Sequence, residues 1–89
     1  MPTKRYLVSG RVQGVGFRYY VLQTASRLGM RGEVRNMPDG RVECLAAGDS
    51  DQHRKLHEAL KRGPAMSRVT EVLEGNAPEF SGGGFQITY

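Results

Sequence analysis

Polar and apolar positions alternate almost from the start of the chain. Tyr6, Val8, Gly10 and Val12 take every second place, with Leu7, Ser9 and Arg11 between them. A period of two through a β-branched run predicts a strand. Beyond "RVQGVG" the period changes. Phe17, Val21, Ala25 and Leu28 recur at helical spacing, and Gly29 stands where a left-handed cap would close the helix. "GEVRNM", "PDG" and "RVECLAA" then read as strand, tight turn and strand. "GDSDQHRKLHEALKRGP" carries a thin apolar stripe (Leu56, Ala59, Leu60). Asp49 and Ser50 are its N-cap candidates, Asp49 with Gln52 forms a possible capping box, and Gly63–Pro64 is a stop. "SRVTEVLE" predicts another strand. A glycine-rich loop, "GNAPEFSGGG", leads to "FQITY", where alternation of Phe85, Ile87 and Tyr89 predicts a short last strand.

The order is β-α-β-β-α-β with a short extra C-terminal strand. Right-handed crossovers fold that order into a ferredoxin-like α+β sandwich, an antiparallel sheet covered on one face by two helices. The first two strands run the same way because a helix joins them, with the third strand between. Their C-terminal ends therefore share one edge of the sheet. The loop after Val12 and residue Asn36 meet at that edge. Asn36 has the parity of Val34, which points it to the helix-covered face, near the start of the first helix.

Length and composition change this picture little. The 89 residues, with no linker and no internal repeat, make one domain spanning 1–89. The lone Cys44 lies in an apolar run, which predicts a buried, inert thiol and fits a reducing cytoplasm. Neither a signal peptide nor a run long enough to span a membrane is present. The net charge of +4 suits an anionic partner, nucleic acid or a small phosphorylated molecule, and equally a merely solvated basic surface.

The stretch "RVQGVGFR" carries the candidate chemistry. A loop feeding a helix N-terminus presents main-chain N–H groups with no internal partner, at the end where the helix dipole favours negative charge. Gly14 and Gly16 let an oxygen approach the main chain and permit a positive φ that turns successive amides inward. Arg18 falls in the first helical turn, where its planar fork can grip two phosphate oxygens. Together they form a cradle for a phosphate-sized dianion. A lone Gly-x-Gly remains compatible with a plain glycine-rich turn. It is neither a dinucleotide fingerprint, since Tyr19 stands at the third glycine, nor a nucleoside triphosphate loop, since Gly-Lys-Ser/Thr is absent.

"GRVQGVGFR" (residues 10–18) closely resembles the acylphosphatase signature Gly-x-Val-Gln-Gly-Val-x-Phe-Arg. "GEVRNMPDGRV" (32–42) is similar to that family's Gly-x-Val-x-Asn-x-x-Asp-Gly-x-Val segment. The second helix and closing strand resemble the family's as well, so nearly the whole chain is covered. The resemblance implies the same ferredoxin-like fold and an enzyme that hydrolyses acyl phosphates to a carboxylate and inorganic phosphate. It places the catalytic arginine at Arg18 and the catalytic asparagine at Asn36, with the phosphate loop over Gln13, Gly14, Val15, Gly16 and Phe17. Glu33 departs from the family, which often has a bulky apolar residue there. Its parity puts it on the other face from Asn36.

Chemistry agrees with that implication. A carboxylate leaves without a strong general acid, so the protein has only to hold the phosphoryl group, neutralise its oxygens and aim a water. Asn36 can orient a water through its amide. No general base is apparent. No carboxylate cluster suits magnesium, and no cofactor is expected. His53 and His57 share a helix face at zinc-like spacing but lack a third ligand, so they read as solvated or half-buried helix residues. Asp39–Gly40 after Pro38 is turn chemistry. A nucleic-acid role would need exposed aromatics on the central strands. The outward set there (Leu7, Ser9, Arg11, Arg41, Glu43, Leu45) has none, so no nucleic-acid or membrane partner is expected. A catalytically idle regulatory domain of the same fold is the other rival. A capped fold of this size stands as a monomer.

Overall fold

The structure, a computed structural model, describes residues 1–89. Strand β1 (Thr3–Arg11) is followed by helix α1 (Phe17–Arg27), β2 (Arg31–Asn36), β3 (Val42–Ala47), α2 (Ser50–Arg62), β4 (Arg68–Asn76) and β5 (Phe85–Ile87). The sheet order is β4-β1-β3-β2-β5, with β3 between β1 and β2 as the crossover argument requires. The expectation of an antiparallel sheet holds for the first four strands. The sheet as a whole is mixed, because β5 pairs parallel with β2, Val34 opposite Ile87. The eight-residue loop 77–84 carries the chain around to the far edge of the sheet, where the only open ladder is that of β2.

The period-two positions of β1 and the helical stripe of α1 meet in one core. Tyr6, Val8, Val12, Phe17, Val21, Ala25, Val34, Val42, Cys44, Leu56 and Leu60 are all buried. Each large apolar side chain so buried contributes roughly 1.5–3 kcal/mol. Burial pushes the Cys44 thiol well above its ordinary range, so it stays protonated and inert. The helix ends follow the sequence signals. Gly29 N–H donates to the Ser26 carbonyl and Met30 N–H to that of Ala25, which satisfies the last turn of α1. At α2 the capping box forms, with Gln52 N–H donating to Asp49 and Asp49 N–H to Gln52. Gln52 also donates to the Leu28 carbonyl (2.7 Å) and so ties the two helices together.

His53 departs from expectation: it is only 2% exposed. Its Nε2 lies 3.0 Å from the Pro2 carbonyl, which can only accept, so Nε2 carries the proton. Nδ1 then accepts from the Tyr6 hydroxyl at 2.6 Å. Both ring nitrogens are used, and neither lone pair is free for a metal. His57 is half-buried and bonds the Glu74 carboxylate on β4.

Gly10 fixes the end of β1. The β1–β4 register shifts between Ser9 and Gly10, and a Cβ at Gly10 would lie 2.1 Å from the Arg68 carbonyl oxygen. Only glycine permits that approach, which delivers Val12 and the following loop to the edge of the sheet.

Candidate active site

Residues 12–16 leave β1 and enter α1 through two left-handed turns, Gly14 with φ +74° and Gly16 with φ +77°. Gly16 is the N-cap of α1. It contributes no side-chain cap, and no acidic residue occupies the first turn. No main-chain N–H from Gln13 to Tyr19 donates to an acceptor within the protein. The first bond of the helix runs from the Tyr20 N–H to the Gly16 carbonyl. This run of free donors is the feature that makes a helix start attractive to an anion.

A cleft of about 160 Å³ opens over those donors. That is room for roughly five waters at about 30 Å³ each, and well below the about 300–1,000 Å³ of sites that hold drug-sized ligands. Val12, Gly14, Gly16, Phe17, Arg18, Tyr19, Asn36, Ile87 and Tyr89 line it. Arg18 and Asn36, contributed by different elements, thus face one space. Arg18 makes no ion pair, and its guanidinium carbon sits 5.1 Å from the centre of the Tyr89 ring. Asn36 keeps its Oδ1 buried and without a hydrogen-bond partner in the protein. A buried polar atom left unmatched is costly, and this one belongs to a wall of the cleft.

Gln13 and Val15 do not line the cleft. Val15 packs against the core. The side-chain amide of Gln13 donates instead to the carbonyls of Met37 (2.8 Å) and Arg41 (3.0 Å), at the neck of the β2–β3 turn. These two residues are present in the loop by their main chain. Asp39 serves the turn: it accepts from the Arg41 N–H and pairs with its guanidinium. Those bonds hold its carboxyl below the usual range.

Sequence reasoning did not assign Tyr19, Ile87 or Tyr89 to the site. Alternation along "FQITY" held the signal for the last two. Once β5 lies beside β2, Ile87 and Tyr89 share the face of Val34 and Asn36. No side chain among the lining residues is a carboxylate, imidazole or thiol. Nowhere in the molecule are three or more His, Cys, Asp or Glu side chains grouped to hold a metal ion. No helix is long and apolar enough to cross a membrane.

Comparison with known proteins gives the family and the fold. A family model described as Acylphosphatase matches residues 4–87. An acylphosphatase of Koribacter versatilis is 52% identical over 86 residues, covering 96% of this chain and 78% of the relative. One from Petrotoga mobilis is 40% identical and covers both chains completely. Among solved structures, an acylphosphatase from Bacillus subtilis superposes with a TM-score of 0.94 at 41% identity, covering all of both chains. One from Coxiella burnetii superposes at 0.93, with 33% identity, 98% of this chain and 92% of the other.

Proposed function

Because this chain belongs to the acylphosphatase family, and so hydrolyses acyl phosphates to a carboxylate and inorganic phosphate, we propose that the cleft at the head of α1 is where it does so. The observation that carries this reading is the meeting of three things in one small space: a run of free amides, an unpaired guanidinium and the side chain of Asn36.

In this reading the main-chain amides of Gln13, Gly14, Val15, Gly16 and Phe17 receive the phosphoryl oxygens, and Arg18 grips two of them from the side. As the bond to the acyl oxygen stretches, charge on the phosphoryl group is stabilised by donors that need not reorganise. Asn36 orients a water through its side-chain amide and holds it in line with the breaking bond. The water oxygen bonds to phosphorus, the P–O bond to the acyl group breaks, and its electron pair leaves with the carboxylate. No side chain in the cleft is suited to take the water's proton, which passes to a phosphoryl oxygen of the substrate. The reading needs no metal and no cofactor. It takes residues 1–89 as one working domain, a monomer in the cytoplasm, with a small acyl phosphate as partner and no nucleic acid.

The test is phosphate release from benzoyl or acetyl phosphate with a metal chelator present. Arg18→Ala lowers kcat by about 10²–10³ or more and weakens inhibition by inorganic phosphate. Asn36→Ala lowers kcat while phosphate inhibition stays close to wild type. Wild-type rates in both variants would refute the site, and loss of activity with chelator would refute the metal-free route.

A further inference from the structure

The two halves of the cleft come from strands that do not touch. β3 lies between β1 and β2, so at about 4.8 Å per strand the loop after β1 and the end of β2 are roughly 10 Å apart with no shared ladder. Asn36 is the last residue of β2, and no hydrogen bond from its side chain holds it in place. What spans the gap is Gln13. Its amide nitrogen donates to Met37, the residue after Asn36, and to Arg41, the residue before β3. The same two carbonyls already close the turn, accepting from the N–H groups of Gly40 (3.1 Å) and Met37 (2.8 Å). Gln13 supplies the second bond to each. It is also the residue immediately before Gly14, so one side chain ties the first residue of the loop to the backbone that carries Asn36.

On the reading of the site given above, we propose that Gln13 is a positioning residue, setting the distance between the phosphate loop and Asn36, and that it acts on turnover through Asn36. The side chain does not line the cleft. Cutting the tie lets the neck of the turn drift relative to the loop. A displacement of about 1 Å between a bound phosphoryl group and the residue that aims its water is worth up to about 100-fold in rate.

The test is a double-mutant cycle between Gln13→Met, which keeps length and loses both donors, and Asn36→Ala, read by steady-state kinetics and by phosphate inhibition. Gln13→Met alone lowers kcat about 10-fold or more and leaves KM and phosphate inhibition within about twofold of wild type. In the Asn36→Ala background the same change costs less than about twofold, because the group it positions is gone. Should the Met variant not fold, as judged by circular dichroism, Gln13→Asn carries the same comparison with an amide one methylene too short for both carbonyls. The proposal is overturned if kcat is unchanged, if phosphate inhibition falls in step with kcat, or if the two substitutions multiply independently. An Asn36→Ala enzyme with undiminished turnover overturns the site reading itself, whereas a normal Asn36→Ala loss with multiplying effects overturns only the role of Gln13.

Discussion

Arg18 is one of seven cationic side chains in this chain that make no ion pair; the other six among the thirteen are matched to carboxylates. Its guanidinium lies over the ring of Tyr89, and its N–H groups make no hydrogen bond or ion pair within the protein. Gly16 matters for a different reason. A Cβ built there meets no atom within 4 Å, so space does not demand glycine; the φ of +77° does. Gly16→Ala is therefore a clean probe of backbone geometry. It is expected to lower stability by about 1–2 kcal/mol through left-handed strain. It should also weaken phosphate inhibition several-fold, because relief of that strain turns the free amides away from the cleft. Urea unfolding and a phosphate titration of the same variant measure the two effects. Loss of stability with unchanged phosphate affinity would mean that the amides of this loop do not hold the anion.

At the scale of elements, the junction of β1 with α1 depends on how closely β4 approaches β1. Gly10→Ala would drive a methyl group into the Arg68 carbonyl, 2.1 Å from the ideal Cβ. Backbone cannot yield as a flexible side chain does, so the variant should lose about 3 kcal/mol, or about 12 °C or more in Tm. A thermal melt within a few degrees of wild type would show that β4 moves away at little cost. Much of this architecture was legible in the sequence because it is local. The change from period two to helical spacing marks the β1–α1 junction, Asp49 and Gln52 form their box within three residues, and parity alone directs Asn36 to the cleft. Features that depend on distant partners were not legible. His53 is buried because Tyr6 and Pro2 reach it from the other end of the chain. The Gln13 amide finds acceptors 24 and 28 residues away rather than a phosphate. β5 takes its parallel register, and brings Tyr89 to Arg18, only once the loop 77–84 has carried it round the sheet.

For the molecule as a whole, the groups that titrate in stability are not those that line the cleft. Glu43 on β3 is bonded by Arg5 of β1 (2.6 Å) and Arg35 of β2 (2.8 Å), which pins three strands on the open face of the sheet. Burial raises its pKa, but the hydrogen bonds from Arg35 and Arg5 outweigh that and hold it below the usual range. Glu74 on β4 is likewise lowered: burial opposes its charge, and Lys4 of β1 and His57 of α2 prevail. A carboxyl with a lowered folded pKa binds fewer protons folded than unfolded. Its stabilisation is complete above the unfolded value, about 4.3 for glutamate, and is lost as pH falls through the folded value. Unfolding midpoints in urea should therefore be nearly level from pH 6 to 8 on this account and fall below about pH 4. Glu43→Gln should lower the midpoint at pH 7 and make the acid fall shallower. The side chains that line the cleft, by contrast, include no carboxylate or imidazole whose titration would shape catalysis. Between about pH 5 and 8, kcat should follow only the ionisation of the substrate's phosphoryl group, without the bell set by an enzymic acid and base. A kcat profile with two enzyme-borne limbs that persist across substrates of different phosphoryl pKa would place a proton-transfer group in the reaction. An acid fall in stability identical in wild type and Glu43→Gln would remove the strand-pinning carboxylate from the account.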